Sequence, residues 1–360
     1  MTSFDDLDGH RSLNCFLLLS LLSLCSLERK YQRNAFSSSF LPLRILFIFS
    51  LLCTNLLFLL YLRINHINLN LLMESNNSKP SKPSKYDELI AKVDPKILQD
   101  WKSIQDGLKG KLIETDDHTW TVNTNPSTDL KIIGGMDISA SKQYPNYAVS
   151  GLVICDKDLH ILYEKYELVQ ITEPYVPGFL AFREVKHLIS LYNELLTLHP
   201  EYKPEVILVD GNGILHSNRF GLASHLGVLA DVPTIGCGKT VFSVDGITKK
   251  NVRAITDKFT KGGEYKKLVG TSGAIWGAAL RSTDDSKIPM IISVGHKVTL
   301  DTAIEVVKHT TKHRVPEPIR LADKITRIII AEYERRKFKP FVIEDWLQKN
   351  HDSLYSTLED

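Results

Sequence analysis

Three strand-length apolar runs follow one another between residues 131 and 171 with spacers too short for a crossover helix, and beyond residue 181 helix-like and strand-like segments alternate. This order constrains the fold more than any other feature, because short connections join antiparallel neighbours whereas an intervening helix makes a parallel unit. The three runs are 131–137, 148–155 and 161–171. In the third, Leu162, Tyr166 and Leu168 share one face and Lys165 and Glu167 the other, although Glu164 spoils strict alternation. Val185, Leu188, Ile189, Tyr192, Leu195 and Leu196 then fall on one helical stripe, which His199-Pro200 stops. Val206-Ile207-Leu208-Val209 reads as a buried strand. Residues 221–229 predict a short helix, 234–237 and 290–294 two further strands, and 300–310 and 319–336 two more helices. The expected fold is α/β, with three antiparallel strands plus a parallel extension in one mixed sheet flanked by helices.

Domain organisation follows from composition. Residues 1–74 form an apolar head in which 45–62, eighteen residues bracketed by Arg44 and Arg63, carry no charge. A helix of that length just crosses a hydrocarbon core. Two readings stand for the head: a membrane anchor through 45–62, or translated non-coding sequence ahead of the true start. Basic residues flank 45–62 on both sides, so charge sets no orientation. Residues 75–86 are a linker, where Lys79-Pro80-Ser81 repeats as Lys82-Pro83-Ser84 and favours an extended, solvated chain. The folded domain is expected over 87–340, with one or two helices in 87–112 interrupted by Pro95, and 341–360 as a tail.

Of the 360 residues, 43% are apolar and 24% charged, a globular composition that excludes disorder or a coiled coil as the bulk state. With 44 basic and 42 acidic residues the net charge is only +2, so any polyanion must be gripped locally rather than by a basic domain. Five cysteines share no C-x-x-C spacing, which implies neither a zinc site nor a disulfide framework and suits a reducing compartment.

Two of the strands meet an aspartate at an abrupt change of polarity. Asp137 follows Ile132-Ile133-Gly134-Gly135-Met136, and Asp210 follows Val206 to Val209 and precedes Gly211-Asn212-Gly213. Ligands of open α/β sheets gather outside the carboxyl ends of neighbouring strands. Two carboxylates converging there need a cation, and hard oxygen donors suit Mg²⁺ or Mn²⁺. Glu184, at the start of the long helix, is a third candidate, and its plain reading is a favourable charge in a first helical turn. His296, in Val294-Gly295-His296-Lys297, could orient water or protonate a leaving group, although a lone histidine is more often structural. Gly236-Cys237-Gly238-Lys239-Thr240 ends like a phosphate-binding loop, but Pro233 stands where that pattern requires its first glycine. Tyr175, between Pro174 and Val176-Pro177, is an aromatic on a stiffened loop, suited either to stacking on a base or to ordinary packing.

Together these motifs resemble the endonuclease V family. The matching blocks are Ile133-Gly134-Gly135-Met136-Asp137-Ile138-Ser139, the stretch from Pro174 to Glu184, Val209 to His216, Phe220 to Val228, and Ser293-Val294-Gly295-His296-Lys297, in family order. The resemblance covers roughly residues 90 to 330. It implies a ribonuclease H-like fold and a Mg²⁺-dependent endonuclease, with Mn²⁺ able to substitute. Such an enzyme acts on deaminated adenine, cutting the second phosphodiester bond 3′ of inosine in RNA or DNA and leaving a 5′-phosphate. By motif, Asp137 and Asp210 would bind metal, and Asp137, Glu184, Asp210 and His296 would form the catalytic set. Tyr175 and Pro177 resemble the wedge that fills the space of a displaced base. Backbone near Gly178, Leu180, Gly211 and Gly213 would line the hypoxanthine pocket, and Lys239 would contact the substrate backbone. Asn212 resembles the animal members, which implies RNA as the preferred substrate. A monomer in the cytoplasm or nucleus is expected, membrane-anchored if 45–62 is genuine. Two other readings remain: a structure-specific nuclease of the same fold, and an inosine-RNA binding protein that does not cleave.

Overall fold

The computed structural model describes residues 90–91, 93–122 and 129–359. The apolar head, the linker and the 45–62 segment lie outside the described residues. Among the described residues no helix is long and apolar enough to cross a membrane.

The first helix, α1 (Pro95–Lys109), begins at the proline instead of being interrupted by it. Pro95 sits where a helix has no need of an N–H, and Asp94 caps the turn by accepting from the Lys96 N–H at 2.8 Å. Strands β1 (Ile132–Ala140), β2 (Tyr147–Asp156) and β3 (Ile161–Gln170) form the expected antiparallel meander. Helix α2 (Ala181–Leu198) carries the chain across to β4 (Val206–Val209), which lies parallel to β1. Helix α3 (Leu222–Ala230) leads to β5 (Thr234–Gly238), parallel to β4. This half is the ribonuclease H-like arrangement.

The sheet then continues in a way the sequence did not announce. Helix α4 (Lys249–Thr256) and strands β6 (Tyr265–Val269) and β7 (Ile275–Leu280) occupy a stretch with no predicted elements. Strand β8 (Met290–His296) runs antiparallel to β5, so the extension is parallel only through β4 and β5. The eight strands lie in the order β3-β2-β1-β4-β5-β8-β7-β6. Helices α5 (Leu300–His309) and α6 (Glu317–Arg335) follow, and the segment read as a tail forms α7 (Ile343–Glu359).

Strand alternation divides the core into two layers. Met136, Ile207 and Val209 point to one face and pack with Leu188, Leu191 and Leu195 of α2 and Leu226 of α3. Ile133, Leu208, Ile235 and Cys237 point to the other, against α5 and the start of α6. Further along, Val149 and Val153 of β2 meet Leu321, Ile325 and Ile329 of α6. By period-two alternation Asp137 shares the face of Ile133 and is thereby aimed at α6. Gly135 lets that helix come down onto β1: a Cβ there would lie 2.2 Å from the Pro318 carbonyl carbon.

Candidate active site

Asp137 is not at the end of its strand but inside β1, at the level where its parallel neighbour stops. Met136 pairs with Val209, and the Asp210 N–H donates to the Met136 carbonyl at 3.0 Å. The two aspartates thus stand side by side at the carboxyl end of β4. A third carboxylate, Asp323, arrives from α6, and one oxygen from each of Asp137, Asp210 and Asp323 lies within 4.8 Å of the others. The sequence reading missed Asp323. It lies mid-helix and flanks an apolar stripe, where an aspartate normally belongs to the solvated face.

The surroundings hold these groups in place. Ser139 Oγ donates to Asp137 Oδ2 at 3.1 Å, and the buried Thr326 hydroxyl lies 3.2 Å from the same oxygen. Thr326 fits because its partner position on β2 is Gly151, which pairs with Asp137. Lys239, just past the end of β5, bridges two of the acids, with Nζ 2.6 Å from Asp210 Oδ2 and 3.0 Å from Asp323 Oδ1. Its carbonyl accepts from Arg314 Nη2 at 2.8 Å. Lys239 was expected on the substrate backbone; here its amine is paired with the carboxylates.

Charge is out of balance. Burial, and then the neighbouring Asp210 and Asp323, raise the Asp137 carboxyl far above the ordinary carboxylate range. Burial works against the Lys239 charge, yet Asp210 and Asp323 hold that ammonium above its usual value. Glu184, in the first turn of α2, is pushed up to about 7 by burial, with Asp210 adding to the effect and Arg183 opposing it. Three acids against one ammonium favour either a proton on Asp137 or a bound cation, and the raised Asp137 carboxyl marks the place where a cation would take the proton's position. The donor set, all oxygen and converging within a few ångströms, fits a hard divalent ion.

His296 does not join this group. In the β5–β8 ladder Gly238 faces Ile291 while Thr234 faces His296, so the histidine stands beside the opposite end of β5, roughly 13 Å along the strand at ~3.3 Å per residue. There Nδ1 accepts from the Ile113 N–H at 3.2 Å, and Nε2 lies 3.9 Å from Asp231. Burial and the adjacent Lys297 lower its affinity for a proton. The expectation that four side chains would meet is corrected here: Asp323 stands with the aspartates and His296 does not.

The remaining predicted residues lie on the loops ahead of α2 and after β4. Tyr175 is 43% exposed, with the Arg183 guanidinium 5.5 Å from its ring centre. Val176, between Tyr175 and Pro177, is buried and anchors the loop. Gly178 has φ +84°, which favours glycine at this turn, and Leu180 precedes the first residue of α2. Gly211 follows Asp210 beside Leu222. Gly213 is packed against β8, its N–H donating to Ser293 Oγ at 2.8 Å, and a Cβ there would lie 1.8 Å from the Val294 carbonyl oxygen. Its glycine is accounted for by backbone packing.

Comparisons with known proteins give the family. Residues 116–324 match the family model described as Endonuclease V. The chain is 41% identical to the mouse protein named Endonuclease V over 66% of this chain and 69% of that protein. It is 40% identical to the human one over 63% of this chain and 81% of that protein. Among solved structures, human ENDOV superposes with a TM-score of 0.63 at 38% identity, covering 66% of this chain and 99% of that one. The Ciona intestinalis enzyme, solved with DNA containing an inosine followed by a ribo-adenosine, gives 0.61 at 33% identity, over 66% of this chain and 99% of that one. A chain that carries the family's motifs, sheet and acidic site over this length belongs to the endonuclease V family.

Proposed function

We propose that this protein is a divalent-metal-dependent endonuclease that cuts the second phosphodiester bond 3′ of inosine, in RNA by preference, leaving a 5′-phosphate. The observation that carries the reading is the convergence of Asp137, Asp210 and Asp323 at the carboxyl end of β4. The three aspartates would hold Mg²⁺, or Mn²⁺ in its place. A divalent ion there supplies charge that offsets the phosphate and acidifies an attacking water.

The protein's own groups do the rest. Glu184, titrating near neutrality, is suited to exchange a proton with the attacking water or the leaving oxygen. Lys239 would offer its ammonium to the phosphate. Tyr175, stiffened by Pro174 and Pro177, would fill the gap left by the displaced base, a displacement that costs least where pairing is already weak. Backbone near Gly178, Leu180 and Gly211 would read the hypoxanthine. Asn212 in the Asp210 turn, which resembles the animal members, is what favours RNA.

The direct test is cleavage of matched oligonucleotides carrying inosine or adenosine, as RNA and as DNA, with Mg²⁺ and with chelator. Preferential cutting of inosine-RNA that needs the metal is expected. Equal cutting of inosine and adenosine strands would defeat the lesion-specific reading, and binding without cleavage in any metal would leave only a binding protein.

A further inference from the structure

Helix α1 lies ahead of the residues matched by the family model, and one of its side chains has no explanation in the chemistry above. Gln105 is the helix's buried residue, 1% exposed. An amide is costly to bury unless its donors and acceptor are engaged. Its Nε2 donates to the Phe220 carbonyl at 3.1 Å and reaches the Gly178 carbonyl at 3.5 Å, while Oε1 accepts from Asn218 Nδ2 at 2.5 Å.

These partners come from two separate loops, one ahead of α2 and one ahead of α3. Gly178 is the positive-φ turn that closes the Tyr175 loop. Phe220 leads into Gly221, whose N–H donates to the Gly213 carbonyl at 2.9 Å and so connects to the Asp210 turn. Anchoring the helix does not by itself require the amide, since Trp101, one turn earlier, stacks on Phe182 with ring centres 5.0 Å apart and 10° between planes. Nor would general packing select a glutamine, because a leucine of similar volume would fill the space without unmet hydrogen bonds.

We propose that Gln105 is a positioning residue: its amide ties the Gly178 end of the aromatic loop to the loop at Phe220 ahead of α3, and thereby sets where Tyr175 stands when the displaced base enters. This rests on the inosine reading given above. Gln105 touches neither the reacting phosphate nor the acids; it acts through the loop that bears Tyr175.

The test uses the full chain with Gln105→Leu, Gln105→Glu, Tyr175→Ala and the double variant Gln105→Leu/Tyr175→Ala. Gln105→Glu keeps an acceptor for Asn218 but has no donor for the two carbonyls, and it stands in if Gln105→Leu does not fold. In ligand-free protein, amide hydrogen exchange over 174–180 should quicken in the Gln105 variants while the strands keep their protection. In Ca²⁺, to prevent turnover, the preference for binding inosine over adenosine oligonucleotides should fall about tenfold, as expected for loss of one or two hydrogen bonds that act through positioning. The Tyr175 and Gln105 effects should not add, because they share one loop. Unchanged exchange over 174–180, additive effects, or equal weakening of inosine and adenosine binding would each overturn the assignment. Wild-type protein with no inosine preference would overturn the functional reading itself, a result visible before any variant is made.

Discussion

The two ends of strand β5 carry charged groups of opposite character. At the carboxyl end, Lys239 faces Asp210 and Asp323, with Asp137 beside them and Glu184 nearby. At the other end, Lys297 pairs with Asp231 at 2.9 Å and Asp117 at 3.3 Å, and His296 sits behind them. The second group is anchored at the surface: the Asp231 side chain is 79% exposed and Asp117 58%. Water screens it, and exposed pairs of this kind contribute ~0–1 kcal/mol. The first group is sheltered and acidic in excess. Sheltered like charge is relieved by a proton, as at Asp137, or by a cation, whereas the exposed group needs neither.

Four measurements would break or sharpen that contrast. The largest effect is expected from Asp137→Asn or Asp323→Asn, each of which should lower single-turnover cleavage on the order of 10²–10³-fold or more while the fold persists, as for loss of a charge-stabilising group. Retained activity in Asp323→Asn would remove α6 from the site. Glu184→Gln should lower the rate by ~10²-fold or more and flatten the pH–rate profile around neutrality, where the Glu184 carboxyl titrates. A profile that keeps its inflection there would assign that proton to another group.

The third measurement concerns His225, whose ring meets those of Phe182 and Phe220 and whose proton affinity burial pushes down to about 4. Because the unfolded chain binds that proton at the ordinary 6.5, its contribution is complete above pH 6.5 and is lost as pH falls toward 4. The loss should amount to ~2–3 kcal/mol, read from urea unfolding at several pH values, and His225→Phe should reduce the slope. An unaltered slope would place the acid sensitivity elsewhere. The smallest effect on activity belongs to His296→Leu. Cleavage should change less than about threefold, since the ring faces Ile113 and Asp231 and not the acids, while stability drops ~1–3 kcal/mol for the stranded Ile113 N–H. A collapse in the rate at unchanged stability would restore His296 to the chemistry.

The reasons for what the sequence revealed and concealed are physical. Asp137 and Asp210 stood out because an apolar run that ends in a carboxylate is a local signal, and parallel pairing of β1 with β4 brings two such signals together. His296 gave the same signal and misled, because β8 runs antiparallel to β5 and its end lies at the opposite rim; strand direction has no local signature. Asp323 gave none, because a helix delivers it from a distant part of the chain. Strands β6 and β7 escaped notice because Lys266 and Lys267 interrupt one and Gly277, Ala278 and Ala279 weaken the β tendency of the other. The meander and the long α2 stripe were legible because period two and period 3.6 are properties of adjacent residues.

The delivery of Asp323 by α6 has a consequence for the life of the molecule. Thr326, one turn beyond Asp323, contacts Asp137 across 189 residues of chain. During synthesis Asp137 and Asp210 leave the ribosome before α6 exists, so the acidic cluster stays incomplete until that helix has settled on β1.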